Sequence, residues 1–118
     1  MRDALGRELE VGSLVYKVTK TNGQSLHMVL KIKGNFVYLS YEISCYEWKR
    51  GNEFDFASQQ GSRVDPYQTV VIDYSNVELE PNVFEFTDKN KTTDRPPINI
   101  LVSPEVGTHI REKLLLLL

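Results

Sequence analysis

Leu26-His-Met-Val-Leu-Lys-Ile-Lys-Gly-Asn-Phe-Val-Tyr-Leu-Ser-Tyr-Glu-Ile43 holds two alternating apolar–polar runs on either side of Gly34-Asn35. Alternation with period two sends successive side chains to opposite faces of a strand, and a Gly-Asn pair between two such runs signals a hairpin turn. A two-residue turn there sets Lys33 opposite Phe36, Ile32 opposite Val37, Leu30 opposite Leu39, Met28 opposite Tyr41 and Leu26 opposite Ile43. The residues of the last four pairs then share one apolar face, and a slip of one residue would turn them to solvent.

The pattern extends outward from this hairpin. Upstream, Ser13–Thr19 alternates with Leu14, Tyr16 and Val18 on one face. A three-residue loop at Asn22-Gly23-Gln24, with Gly23 at positive φ, would pair Met28 with Val18, Leu30 with Tyr16 and Ile32 with Leu14. Downstream, the second strand of the hairpin is expected to run on through Tyr46-Glu-Trp48. Residues 49–66 then read as a polar, Gly-containing insert with an apolar island at Phe54 and Phe56; so long a connection either serves a function or moves. Gln68–Asp73 reads as a fourth strand, Asn76–Leu79 as a turn and short fifth strand, and Phe84 and Phe86 as its continuation.

Residues 87–97 are polar and end in Pro96-Pro97, which reads as a linker. Beyond it, Ile98–Val102 is a short strand. Ser103 is a helix N-cap, with Pro104 at the first helical position and Glu105 in the first turn. The helix predicted over 104–117 lines up Val106, Ile110, Leu114 and Leu117, with Gly107 as its weak point.

A chain of 118 residues fits one domain, and 41% hydrophobic with 25% charged residues is ordinary for a folded domain. The single cysteine, Cys45, excludes an internal disulfide and a Cys-based metal site, which suits a reducing compartment. The opening Met1–Arg7 lacks an apolar run and does not read as a secretory signal. No segment approaches the ~20 apolar residues of a membrane span. The expected location is the cytoplasm, without membrane contact. The net charge of −2 argues against non-specific nucleic-acid binding. Residues 1–50, however, carry eight Lys and Arg against five Asp and Glu, whereas 51–118 carry six against eleven.

Asp3-Ala-Leu-Gly6, then Leu9-Glu-Val-Gly12-Ser-Leu-Val15, the strand ending at Asp73 and Asn76-Val-Glu-Leu79 resemble the small SH3-like β-barrels. The likeness includes the KOW type and the short SH3-like proteins of tailed bacteriophages, and covers about residues 3–80. It implies a mainly β fold: a small antiparallel SH3-like barrel over 1–86 with its insert at 49–66, a linker at 87–97, and a strand–helix extension over 98–118. It also implies a tendency to bind partners in a bacterial host cytoplasm, without naming a substrate.

The face of the central hairpin opposite the apolar one gathers Lys31, Lys33, Phe36, Tyr38, Tyr46 and Trp48, followed by Lys49 and Arg50. Aromatic rings beside cations serve both protein hot spots and single-stranded nucleic-acid binders. The competing reading is that leftover chain covers these rings as a second small core. His27 faces Glu42 in the expected register and reads as an ordinary cross-strand polar pair, and His109 has no second ligand at metal spacing. Cys45 falls on the Ile43 face and reads as a core residue. Glu53, Asp55, Asp65 and Asp73 read as solvated loop carboxylates rather than a metal site. The run Leu114–Leu118 is apolar all round. Packing on its own domain ranks first for it, ahead of homodimer or partner docking through Ile110, Leu114 and Leu117.

No cofactor, metal or catalytic constellation is expected. The sequence reads as a non-enzymatic macromolecular binding module, a phage-type accessory protein that binds and modulates a host protein. The runner-up is a KOW-like nucleic-acid-binding protein using the basic-aromatic face.

Overall fold

The computed structural model describes residues 1–19, 23–44, 47–48, 50, 53–89 and 96–116. The chain divides into two compact units, one of residues 1–44 with 59–72 and the other of 45–58 with 73–118.

In the first unit the hairpin forms where the alternation placed it. Strands β2 (Gly23–Lys33) and β3 (Phe36–Leu39) flank the Gly34-Asn35 turn, with Lys33 opposite Phe36 and Ile32 opposite Val37. The register then departs from the expected one. A β-bulge between Val29 and Lys31 sets Val29, not Leu30, opposite Leu39. The ladder recovers at Leu26, which bridges to Ile43 as expected. Between these points Ser40 takes the place opposite Met28: its N–H donates to the Met28 carbonyl at 2.9 Å and its hydroxyl accepts the Met28 N–H at 2.9 Å. The bulge turns Val29 toward the same core as Ile32, where Leu9, Val15, Val37, Leu39 and Val64 also pack. Leu26, Met28 and Leu30 are buried as well, so β2 does not have one apolar and one polar face along its length. Tyr41, expected to face the core, is 74% exposed.

Strand β1 (Leu14–Thr19) pairs with the first half of β2, Leu14 opposite Met28 and Tyr16 opposite Leu26. Thr19 lies opposite Gly23, which places Gly23 in the strand rather than in a turn; residues 20–22 lie outside the described residues. The expected pairing of Met28 with Val18 is therefore displaced along the strand; Leu14 still shares a face with Met28, whereas Ile32, expected opposite Leu14, packs with Val15 on the other face.

After β4 (Phe54–Asp55), which belongs to the second unit, β5 (Ser62–Val64) joins β3, and β6 (Thr69–Val71) joins β1 after a 3-10 turn at Pro66–Gln68. The sheet order is β5-β3-β2-β1-β6. No ladder joins the two edge strands, so the sheet is open. A barrel needs its first and last strands paired, and the SH3-like barrel read from the sequence is corrected to an open five-stranded sheet.

The N-terminal segment is held on this sheet by Asp3, which is 2% exposed. Its Oδ1 accepts the N–H groups of Leu5 and Arg7, and its Oδ2 accepts that of Val71, each at 2.8 Å. Ala4 N–H donates to the Thr69 carbonyl, and Arg7 Nη1 to that of Val71.

The second unit is a four-stranded sheet of order β4-β9-β8-β7, made of β4 (Phe54–Asp55), β7 (Tyr74–Glu80), β8 (Val83–Asp88) and β9 (Ile98–Leu101). β4 runs parallel to β9, and the other pairs are antiparallel. This sheet is also open, with β4 and β7 at its edges. Phe84, Phe86, Ile98 and Ile100 alternate onto one face and are fully buried. Strand 98–101 is thus an inner strand of this unit rather than part of an appended extension, and β4 and β5 lie within the stretch read as an insert.

Helix α1 (Pro104–Leu116) starts as the sequence indicated, with the Ser103 hydroxyl accepting the Val106 N–H at 3.3 Å. It buries Val106, Gly107 and Ile110. Arg111 Nη1 donates to Glu78 Oε2 at 2.5 Å and to Asn82 Oδ1 at 3.3 Å, and Lys113 lies 5.5 Å from the Tyr74 ring centre. Asn82, at φ 66°, forms the turn between β7 and β8. A Cβ on Gly107 would run into the Asn82 amide oxygen, so the glycine permits a close approach and is not merely a weak point.

Two predictions follow from these contacts. Asp3→Ala removes three charge-assisted bonds and leaves their donors unpaired, which should cost about 2–4 kcal/mol in denaturant melts. Burial alone would raise the Asp3 pKa, but the three N–H groups and the Arg7 charge hold its carboxyl below the ordinary value of 3.8. Its contribution is therefore complete above pH 3.8 and is lost as the pH falls through the depressed folded value, a loss that acid titration of Asp3→Asn should not show. For the helix, Gly107→Ala should fail to deliver the usual gain of about 1 kcal/mol for Ala over Gly. The gain should return when Asn82→Gly, which accepts positive φ, is combined with it.

Candidate binding surfaces

Sheet pairing in the first unit sets five side chains on one outer face. Lys31 lies opposite Tyr38, Lys33 opposite Phe36, and Tyr38 opposite Arg63 on the next strand. Their neighbours Ile32, Val37 and Val64 point the other way, into the core cluster. Lys31, Lys33 and Arg63 are exposed, Phe36 is 37% exposed and Tyr38 is half-buried. Each ring carries a cation: Lys31 Nζ is 4.7 Å from the Tyr38 centroid, and the Arg63 guanidinium carbon is 4.7 Å from that of Phe36. Each contact contributes about 0.5–1 kcal/mol at an exposed site, enough to bias where the charge sits.

Arg63 was not among the residues the sequence singled out. Its position depends on Gly61, at φ 85°, where a Cβ would press on Tyr38 at 3.0 Å and on the Leu39 carbonyl at 3.2 Å. A conformation that disfavours other residues thus starts β5 close against β3. The Gly61 signal was present in the sequence, but three residues of strand are too few to show a period.

The rest of the anticipated face is placed elsewhere. Glu47 and Trp48 are helical rather than extended. Trp48 belongs to the second unit, is 1% exposed, and donates from Nε1 to the Pro96 carbonyl at 2.6 Å. It is a core residue there and does not share the surface with Lys31. Arg50, also in the second unit, is exposed and its N–H donates to the Glu47 carbonyl. Tyr46, Lys49, Cys45 and Leu117 lie outside the described residues. Of the helix residues expected to dock a partner, Ile110 is 2% exposed and Leu114 half-buried, while Leu115 and Leu116 are 68% and 85% exposed.

His27 lies opposite Val15 and is half-buried. Its Nδ1 sits 2.8 Å from the Ser40 carbonyl, an acceptor, and so bears the proton; Nε2 then accepts from the Ser25 hydroxyl at 2.7 Å in the neutral ring. Burial pushes the His27 pKa down from 6.5, and Lys17 acts in the same sense, against the Ser40 carbonyl and Glu42. The Ser25–His27 pair resembles an activated hydroxyl. Neither of the two clefts described in the molecule touches it, however, and both are lined by the second unit. Among the described residues no group of three His, Cys, Asp or Glu could hold a metal ion, and no helix is long and apolar enough to cross a membrane.

The chain matches no protein-family model, no curated protein and no solved structure. With the first sheet open, nothing upholds the resemblance to SH3-like, KOW-type or tailed-phage proteins, and the phage origin drawn from it falls with it.

Because the folded His27 pKa is depressed, the native state binds fewer protons than the unfolded chain below pH 6.5. Stability should fall as the pH drops from 6.5 through the folded value. His27→Asn, which keeps a donor toward the Ser40 carbonyl, should flatten that slope in thermal melts taken across the window.

Proposed function

We propose that the chain is a non-enzymatic binding module whose first unit docks an acidic surface of a protein partner. The observation that carries this reading is the outer sheet face on which Lys31, Lys33 and Arg63 stand together, two of them seated on Tyr38 and Phe36. A sheet holds these charges at fixed spacing, and the rings limit where Lys31 and Arg63 can move. Less side-chain entropy is then lost on docking.

Charge complementarity of this kind speeds encounter and selects partners more than it adds raw affinity. The same arrangement argues for protein over nucleic acid. Base stacking needs open ring faces, whereas here each ring is already covered by a cation of the chain.

Affinity capture from cell lysate, with and without nuclease, tests the proposal. A protein should be captured in both conditions, and Lys31→Glu with Arg63→Glu should cut its recovery about tenfold. Capture that disappears with nuclease and falls steeply with salt would establish nucleic acid as the target instead.

A further inference from the structure

Strand pairing in the second unit fixes which side chains share a face of its sheet. Glu78, Phe84 and Ile100 stand opposite one another, and Glu78 reaches Arg111, so this row faces α1. The rows on either side of it face away from the helix. One of them is Glu80, Val83 and Leu101; the other is Val77, Glu85 and Asn99. Glu80, Val83, Leu101 and Asn99 also line a single cleft of about 420 Å³, as side chains on one face must. Glu80 is exposed, Val77 is 58% exposed, and Val83, Glu85, Asn99 and Leu101 are half-buried, so this outer face is open. These two rows hold carboxylates and no cation. Neither the Glu80 nor the Glu85 carboxylate makes an ion pair or hydrogen bond among the described residues. Asp55, opposite Leu101, already accepts the Ala57 N–H and is not counted with them.

The outer face of the first unit carries the opposite charge in the same format. Lys31, Tyr38 and Arg63 form one row, and Lys33 and Phe36 the next. Neighbouring strands lie about 5 Å apart, and alternate residues about 7 Å apart along a strand. On that scale the backbones of Lys31 and Lys33 are about 7 Å apart, and those of Glu80 and Glu85 about 8 Å. Long cationic side chains span such a difference. Their alkyl stems suit Val83 and Leu101 while their charged ends reach the carboxylates.

We propose that the outer face of the second unit is an acidic surface on which the first unit of another copy of this chain docks. Lys31, Lys33 and Arg63 of one copy meet Glu80 and Glu85 of the next, over a floor of Val83 and Leu101. The inference rests on the basic-face reading and names the partner of that face as a second copy. The two patches differ, so the contact is heterologous, and each copy carries both halves of it. Pairing either patch with its own kind would set like charges against each other.

Sedimentation velocity of the full chain, across protein concentration, tests the proposal. Its average size should rise with concentration and fall toward the monomer between about 0.05 M and about 0.5 M salt. Lys31→Glu with Arg63→Glu should weaken self-association about tenfold, and Glu80→Lys with Glu85→Lys should do the same. Mixed in equal amounts, these two variants should regain a one-to-one complex, because each keeps the patch the other needs. Glu105→Lys with Glu112→Lys, the same charge change on the exposed helix surface, should leave association intact. Far-UV circular dichroism checks that every variant keeps the fold. A chain that stays monomeric at all concentrations overturns the proposal. So does association that survives either reversal, or a mixture of the two variants that fails to associate. The basic-face reading is judged separately: it outlives a monomeric chain if Lys31→Glu with Arg63→Glu still abolishes capture from lysate, and falls too if capture is unchanged.

Discussion

The extra residue that β2 carries at Leu30 governs the composition of both faces of the first sheet. Without it, strict alternation would put Val29 with Lys31 and Lys33. With it, Val29 joins Ile32 in the core cluster, while the other side of β2 changes from apolar at Leu26 and Met28 to cationic at Lys31 and Lys33. Such a bulge interrupts the ladder and would leave the buried Met28 N–H without its regular partner, a loss of about 1–3 kcal/mol. The Ser40 hydroxyl accepts that N–H and in turn donates to the Tyr41 carbonyl at 2.8 Å. One small polar residue, 3% exposed, thus makes a two-sided strand compatible with a satisfied backbone.

The second unit achieves its packing by different means. Its apolar face is uniform, and its specificity comes from the turn between β7 and β8. Asn82 accepts from Arg111 through its side chain and from the Val102 N–H through its carbonyl, while its own N–H donates to Glu78. The Arg111–Glu78 pair is 39% and 28% exposed and by itself stabilises little. Joined to Asn82 and to the glycine contact at position 107, it fixes how far along β7 the helix lies.

The parts of this architecture that are local in sequence were legible. The Gly34-Asn35 turn and its first pairs followed from alternation on both sides, and the start of α1 followed from Ser103-Pro104-Glu105. The bulge was not, because Val29 and Leu30 are both apolar and either can satisfy a core position. Closure was misread for a related reason: periodicity identifies strands, while a barrel depends on whether β5 and β6 meet, which no period encodes. The parallel partnership of β4 with β9 joins residues more than 40 positions apart without a local mark. In the candidate site, Lys31, Lys33, Phe36 and Tyr38 were found because they alternate within one hairpin. Trp48 was misplaced because an aromatic beside cations looks the same whether its ring is on the surface or its N–H has found a buried carbonyl.

The division of the chain has a consequence for how it can be made and broken. Passing from residue 44 to 45, from 58 to 59 and from 72 to 73, the backbone changes unit three times, so neither unit is a continuous segment. During synthesis β4 emerges long before its neighbour β9, and must wait for most of the remaining chain before its ladder can exist. Loop closure of this kind slows folding more than it lowers final stability. A cut between residues 72 and 73 keeps the whole first unit in one fragment but parts β4 from β9, and a fragment ending between β7 and β9 exposes the bare edges of an unfinished second sheet, the kind of surface on which chains aggregate.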